Sequence, residues 1–389
     1  MPFGAAWRPR FSIRDGLTFL NNGSFGAPPD VVLAAQAEYR AIVERSPISF
    51  FLRELSPLMR KAAGDLGEFV GADGDGIAFV ENATTGVNAV VMSVAPSLRP
   101  GDVLLTTSHV YGAVRQTLVR YAEWMGAEVA EVAVPFPLRS AREVTEAVAA
   151  ALKPAVKLAV LDHITSPSGL VYPIGELVAL CRERGIPVLV DGAHAPGMVG
   201  LNLEELGADW YVGNCHKWLF APKGCAFLRT TPERLAGTHA PTTSHGYRKG
   251  YAAEFDFTGT RDYSAFLAVG AAIGFYRENG GNAIAAHNRN LVIEMRRMLA
   301  EAWGVSPPAP EDMIGSLAAL PVPAELPATD AAAMALHDAL FDDYNIEVPV
   351  MPLNGRLWVR VSAQIFNEPA DYEKLARAMP LAVAGMAAR

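Results

Sequence analysis

From residue 77 onward the chain repeats one pattern: a short run of β-branched and other apolar residues, then a longer segment whose apolar positions recur every three or four residues. The first is the mark of a buried strand and the second of an amphipathic helix lying on it, so their alternation predicts parallel strands joined by crossover helices. The candidate strands are Ile77 to Val80, Asp102 to Thr106, Glu128 to Val134, Lys157 to Asp162, Pro187 to Asp191, Asp209 to Gly213 and Gly224 to Leu228. Between them the helical period is clearest over Thr85 to Ser97, Gly112 to Met125, Ala141 to Leu152 and Ile174 to Arg184. Gly126 and Gly185 stand where a helix C-terminus favours glycine.

The pattern changes near Gly259. Two long helical segments, about Tyr263 to Asn279 and Ala283 to Trp303, lead past Pro307, Pro308 and Pro310 into short candidate strands at Ile314 to Leu320, Glu347 to Val350 and Arg356 to Val361. These flank helices predicted at Asp330 to Tyr344 and Ala370 to Met379. The expected architecture is an α/β large domain with a mainly parallel seven-stranded sheet, over residues 21–260, after an N-terminal segment of residues 1–20. Linker helices and a smaller C-terminal α+β domain take residues 261–389.

Composition supports a folded, two-part protein. The 389 residues are 51% hydrophobic and 19% charged, enough apolar surface to rule out disorder and too long a chain for one core of ordinary size. A net charge of −8 without a basic run argues against nucleic acid as a partner. Met1 to Thr18 lacks the apolar stretch of a signal peptide and no window of about 18 uncharged apolar residues follows. The expectation is therefore a cytoplasmic protein with no membrane association. Cys181, Cys215 and Cys225 contain no CxxC pair for zinc and are too few for a disulfide framework, so no metal is expected. Asn22-Gly-Ser and Asn82-Ala-Thr match the glycosylation sequon by chance on this reading.

In an open α/β sheet, ligands gather beyond the carboxyl ends of the strands. Five polar clusters stand there: Asn82 to Thr85, Ser108 to Tyr111, Asp162 to Ser168, Asp191 to His194 and Asn214 to Lys217. Lys217 follows an apolar strand and precedes Leu219, Phe220 and Ala221, surroundings that depress a lysine pKa and make the amine nucleophilic. Asp191 ends the run Ile-Pro-Val-Leu-Val, where a buried carboxylate is costly unless a cation meets it. A protonated pyridine nitrogen would do so, and lysine with aspartate is the pairing that pyridoxal 5′-phosphate (PLP) uses. Thr84 and Thr85 at a predicted helix N-terminus offer hydroxyl and backbone donors to a phosphate. Taken singly, Lys217 reads as a surface lysine lying over Trp218, Asp191 as a helix cap and the threonines as caps. Together they point to PLP.

The strings Val190-Asp-Gly-Ala-His-Ala-Pro-Gly and Gly213-Asn-Cys-His-Lys-Trp-Leu-Phe-Ala-Pro-Lys-Gly resemble the class V aminotransferase family of fold-type I PLP enzymes, most closely its isopenicillin N epimerase-like branch. Leu20-Asn-Asn-Gly-Ser-Phe-Gly, Glu81-Asn-Ala-Thr-Thr-Gly-Val-Asn, Asp162-His-Ile-Thr-Ser-Pro-Ser-Gly, Thr258-Gly-Thr-Arg-Asp and Val359-Arg-Val-Ser-Ala-Gln-Ile-Phe-Asn extend the likeness over nearly the whole chain. The resemblance implies Lys217 as the Schiff-base lysine, Asp191 as partner of the pyridine nitrogen and His194 beside the phenolic oxygen. It sets Thr84, Thr85, Asn214 and His216 near the phosphate. Thr260 falls where relatives reach the neighbouring subunit's phosphate, which implies a homodimer with shared sites. His109 is favoured to cover the ring, with Tyr111 as the alternative. Arg360 is placed on the substrate α-carboxylate and Asn22 beside the substrate, with Arg53 the next candidate for the carboxylate.

The implied activity is chemistry at the α-carbon of an amino acid, with racemisation or epimerisation first and carbon–sulfur β-lysis or transamination as alternatives. A catalytically inactive PLP-fold binding protein is the competing class, which the Lys217 and Asp191 pair argues against. The stretch Ile346 to Arg360 lacks the nucleophilic cysteine of the family's desulfurases, which argues against persulfide chemistry by that route.

Overall fold

The computed structural model describes residues 2–387. The strands are β1 (Thr18–Phe19), β2 (Ile77–Val80), β3 (Val103–Thr107), β4 (Glu128–Val132), β5 (Val156–Asp162), β6 (Val188–Asp191), β7 (Trp210–Asn214), β8 (Ala226–Thr230), β9 (Leu317–Pro321), β10 (Ile346–Glu347), β11 (Val350–Leu353) and β12 (Arg356–Ser362). A seven-stranded sheet runs in the order β2-β8-β7-β6-β5-β3-β4. Its strands sit within a residue or two of the predicted runs at most ends, because an apolar run bounded by turn residues is a local signal.

The sheet is buried on both faces. Phe79, Leu105, Leu161, Val190, Tyr211 and Phe227 belong to one apolar cluster, while their strand neighbours Ala78, Leu104, Val160, Leu189, Val212 and Leu228 belong to another. Successive side chains of a strand point to opposite faces, so this alternation is what a helix-covered sheet requires.

One strand departs from the parallel expectation. β8 runs antiparallel to both β7 and β2. The link from β7 to β8 is only Cys215 to Cys225, shorter than the dozen or more residues a parallel crossover needs, so the chain returns directly. The segment predicted as one helix over Tyr263 to Asn279 is two, Ser264–Leu267 and Val269–Glu278, parted at Ala268 (φ −76°, ψ −1°). Ahead of β2 lie two helices outside the strand–helix alternation, Asp30–Arg45 and Leu55–Val70.

The C-terminal region packs an antiparallel sheet, β11-β12-β9, against the helices Asn282–Trp303, Asp330–Tyr344 and Pro369–Ala387. The run expected as one strand at Glu347 to Val350 divides between two partners: β10 pairs in parallel with β1, and β11 pairs with β12. The N-terminal segment is thus stitched into this region, with Leu20 fully buried in its core. From there the chain passes directly to the site. Gly26 adopts φ +68°, and a Cβ there would lie 1.8 Å from the carbonyl oxygen of His216, so only glycine lets the segment approach the Lys217 turn.

Candidate active site

All five strand-end clusters contribute to the wall of one cavity of about 530 Å³. Thr84 and Thr85 come from the start of the helix after β2, Tyr111 from the turn after β3, Asp162 and Ser166 from β5 and its loop, Asp191 and His194 from the end of β6 and the turn after it, and Asn214, His216 and Lys217 from the end of β7 and the short helix that follows.

Lys217 lies on the short helix Cys215–Trp218 and keeps part of its surface open to the cavity, while the surrounding protein desolvates its amine. Burial, and next the positive charge of Arg360, lower its pKa to about 7, against the opposing pull of Asp191. Its Nζ stands 3.1 Å from His194 Nε2. Trp218 Nε1, which can only donate, points at His194 Nδ1 at 3.3 Å. The imidazole proton is thereby placed on Nε2, from which it donates to a neutral Lys217 amine. Burial first, then the charges of Lys217, Arg360 and His216, hold His194 well below the usual histidine range, consistent with this neutral tautomer.

Asp191 is buried, with its Oδ1 accepting the Ala193 N–H at 3.0 Å. Turns rather than a helix follow it, so it caps no helix. Burial raises its pKa, opposed by that N–H and by Lys217. A Cβ at Gly192 would meet the Tyr211 hydroxyl at 2.1 Å, so the turn that carries Asp191 packs too tightly for any side chain at Gly192.

At the opposite wall, the helix Ala83–Val94 begins in the cavity. Asn82 caps it by accepting the Thr85 N–H at 2.9 Å, and Asn214 Oδ1 accepts the Ala83 N–H at 2.8 Å. Asn214 thus braces the helix start. The Thr84 and Thr85 hydroxyls and His216 remain on the lining; His216 is pinned through Nδ1 to the Cys225 carbonyl at 3.0 Å and lowered to about 4 by burial.

Arg360, on β12, is buried behind the lining. Its Nη1 donates to the Ser166 carbonyl and hydroxyl and its Nη2 to Ser24 Oγ, both serines being cavity residues. The guanidinium is oriented before any substrate arrives.

Other predicted residues stand elsewhere. Tyr111 lines the cavity and is 48% exposed, whereas His109 is fully buried, its Nδ1 2.6 Å from Ser168 Oγ and its ring edge-on to Phe136. The structure therefore brings Tyr111, not His109, into the wall. Asn22 is buried and spends its amide on backbone: Nδ2 donates to the Lys217 carbonyl at 2.9 Å and Oδ1 accepts from Ala27 N–H. It holds the lysine turn in place rather than facing substrate. Arg53 is exposed on the π-helical segment Phe50–Glu54, off the cavity lining. Thr260 is exposed and likewise off this chain's own lining, next to Arg261, which pairs with Glu81 at the cavity edge. Asp162, part of a motif noted in the sequence but given no role there, enters the cavity beside Asp191. Only strand register could have revealed it.

The donor set fits PLP on three independent counts. It holds a desolvated amine, a buried carboxylate that needs a cation and a helix N-terminus carrying the hydroxyls of Thr84 and Thr85 for a phosphate.

The aminotransferase class V family model matches residues 18–335. A putative L-cysteine desulfhydrase 1 of Oryza sativa subsp. japonica is 37% identical, over 95% of this chain and 84% of that protein. Isopenicillin N epimerase of Amycolatopsis lactamdurans is 34% identical, over 96% of this chain and 98% of its own. Among solved structures, the cystine C–S lyase C-DES in complex with its reaction product cysteine persulfide superposes with a TM-score of 0.79 at 20% identity, covering 95% of this chain and 98% of that one. That likeness is one of fold. No helix among the described residues is long and apolar enough to cross a membrane.

Proposed function

This chain belongs to the aminotransferase class V family, and on that premise we propose that it is a PLP-dependent β-lyase that cleaves the carbon–sulfur bond of cysteine or an S-substituted cysteine. Bound PLP supplies an electron sink that acidifies the α-carbon proton and allows a β-substituent to leave. The chain's own residues do the rest. Arg360 takes the substrate carboxylate with its pre-oriented fork. Asp191 keeps the ring nitrogen protonated. Thr84, Thr85 and His216 would hold the phosphate, and Tyr111 would lie over the ring. Lys217, as a neutral amine, would remove the α-carbon proton and pass it to the departing sulfur group.

The observation that carries this reading is the Lys217–His194 contact. It places in the cavity one amine whose pKa is lowered to about 7, so that its basic form is available near neutral pH, and elimination requires one base. The sequence alone ranks epimerisation ahead of lysis; the order is reversed here because inversion also requires a proton donor on the other side of the α-carbon. The 37% identity to a protein named as a desulfhydrase supports the same order. Epimerisation stays as the second reading, since the epimerase aligns over 98% of its own length and the half-exposed Tyr111 hydroxyl could serve as that donor.

The test is incubation in D₂O with L-cysteine, L-cystine and S-alkyl cysteines. Lysis yields pyruvate and ammonia in equal amounts together with one sulfur product: sulfide from L-cysteine, a thiol from S-alkyl cysteines and cysteine persulfide from L-cystine. Inverted substrate carrying deuterium at the α-carbon, without pyruvate, would establish epimerisation instead. A two-fold dimer in which Thr260 serves the partner subunit's cavity is part of the same proposal, and a monomer by light scattering would remove it.

Arg360→Lys is expected to lower kcat/KM for these acids by about 2–4 kcal/mol, roughly 30- to 1000-fold, because the charge stays while the fork is lost. Bound-cofactor absorbance should be unchanged. Loss of the cofactor, or equal loss toward amines lacking a carboxylate, would mean that Arg360 only braces Ser24 and Ser166.

A further inference from the structure

The parallel register of β5 and β6 sets Asp162 directly against Asp191, with both side chains on the same face of the sheet and both lining the cavity. Two carboxyl groups are thus buried side by side. Asp162 Oδ2 is enclosed and has no hydrogen-bond partner among the described residues. A buried ionised oxygen without a donor is costly, whereas a buried carboxylic acid beside an anion has a use for its proton.

We propose that Asp162 and Asp191 form a two-carboxyl site that carries a single negative charge, with Asp162 holding the proton and acting as the positioning residue that keeps Asp191 the anion opposite the cofactor's ring nitrogen. This rests on the PLP reading of the cavity. One charge on the pair matches one charge on a protonated pyridine, and a second ionised carboxylate would have no counter-charge. The groups facing the pair agree: Lys217 lies on the Asp191 side, while Asp162 faces Asp191 itself and the Tyr172 phenol, which burial keeps protonated. Burial and then the neighbouring Asp191 push Asp162 well above the ordinary carboxyl range, and the Tyr211 phenol, bonded to His163 Nδ1 at 2.9 Å, is likewise held protonated by burial and by Asp191.

A carboxyl whose pKa is raised by folding adds stability below its unfolded pKa of about 4, and that stability is lost as pH rises toward its folded value. Asp162→Asn removes this dependence. The variant should therefore melt about 1–3 °C above wild type at pH 8, as holoenzyme and after cofactor removal, with the gap closing toward pH 4. A lower melting temperature at pH 8, or a gap independent of pH, overturns the proposal. The second readout is cofactor affinity. If the pair holds one charge, Asp191→Asn passes it to Asp162, so adding Asp162→Asn should weaken PLP binding at least a further tenfold or so. A double variant equal to Asp191→Asn alone would make Asp162 a structural residue with no part in the charge. Should the variants not fold, infrared spectra of the wild-type holoenzyme decide: a protonated-carboxyl band that shifts in D₂O is expected, and its absence refutes the assignment. Failure of the PLP reading would appear separately, as no cofactor bound to wild type.

Discussion

Lys217→Ala is expected to yield a folded protein that binds PLP without a covalent link and turns over about 10⁴- to 10⁶-fold more slowly, the scale on which loss of a residue that is both covalent anchor and base lowers kcat. Borohydride should fix label to a single peptide containing Lys217 in wild type and to none in the variant. Label on another lysine would displace Lys217 from the centre of the site. The fold should survive, because the residue removed is a desolvated amine whose contact is His194, and truncation relieves rather than exposes a buried charge. The same amine sets a pH dependence. Only its neutral form attacks the cofactor's aldehyde, so reattachment to cofactor-free protein should accelerate as pH rises, with its midpoint near the lowered pKa of about 7. A midpoint near that of free lysine would show that burial and Arg360 do not act on it as described.

Asp191→Asn is expected to cost about 3–5 kcal/mol in turnover, roughly 150- to 5000-fold, the range for breaking a buried charge pair by removing one partner. The amide still occupies the space and still accepts the Ala193 N–H, so the fold and the turn before Gly192 should hold. What is lost is the anion placed opposite the ring nitrogen, since the charge then passes to Asp162 on the neighbouring strand. The effect should therefore fall on α-carbon proton exchange more than on substrate affinity, read as deuterium wash-in against KM. Near-wild-type exchange would reduce Asp191 to a turn residue.

The site was partly legible in the sequence because its members lie at strand ends. A run such as Ile186 to Asp191, apolar until its last residue, announces a buried strand and a polar tip from local composition alone, and five such tips predict a common cavity. The antiparallel return of β8 could not be read from hydrophobic pattern, since a fully buried strand has the same pattern in either direction. The motif around Asn22 and the charge of Arg53 suggest substrate contacts, yet Asn22 is spent on the Lys217 carbonyl and Arg53 stands exposed on a π-helical segment off the cavity.

The sequence by itself determined the strand–helix alternation and the gathering of the polar strand ends, Lys217 and Asp191 among them, at the carboxyl side of the sheet. These depend on periodicity and residue type within a few positions. The tertiary structure alone decided that Tyr111 and not His109 faces the cavity, because Ser168 and Phe136, far along the chain, claim the histidine. It alone oriented Arg360 through Ser24 and Ser166, and set Asp162 against Asp191 through the register of two strands. Each of these is a contact between distant segments, and no local pattern specifies which residue of one strand will lie opposite which residue of another.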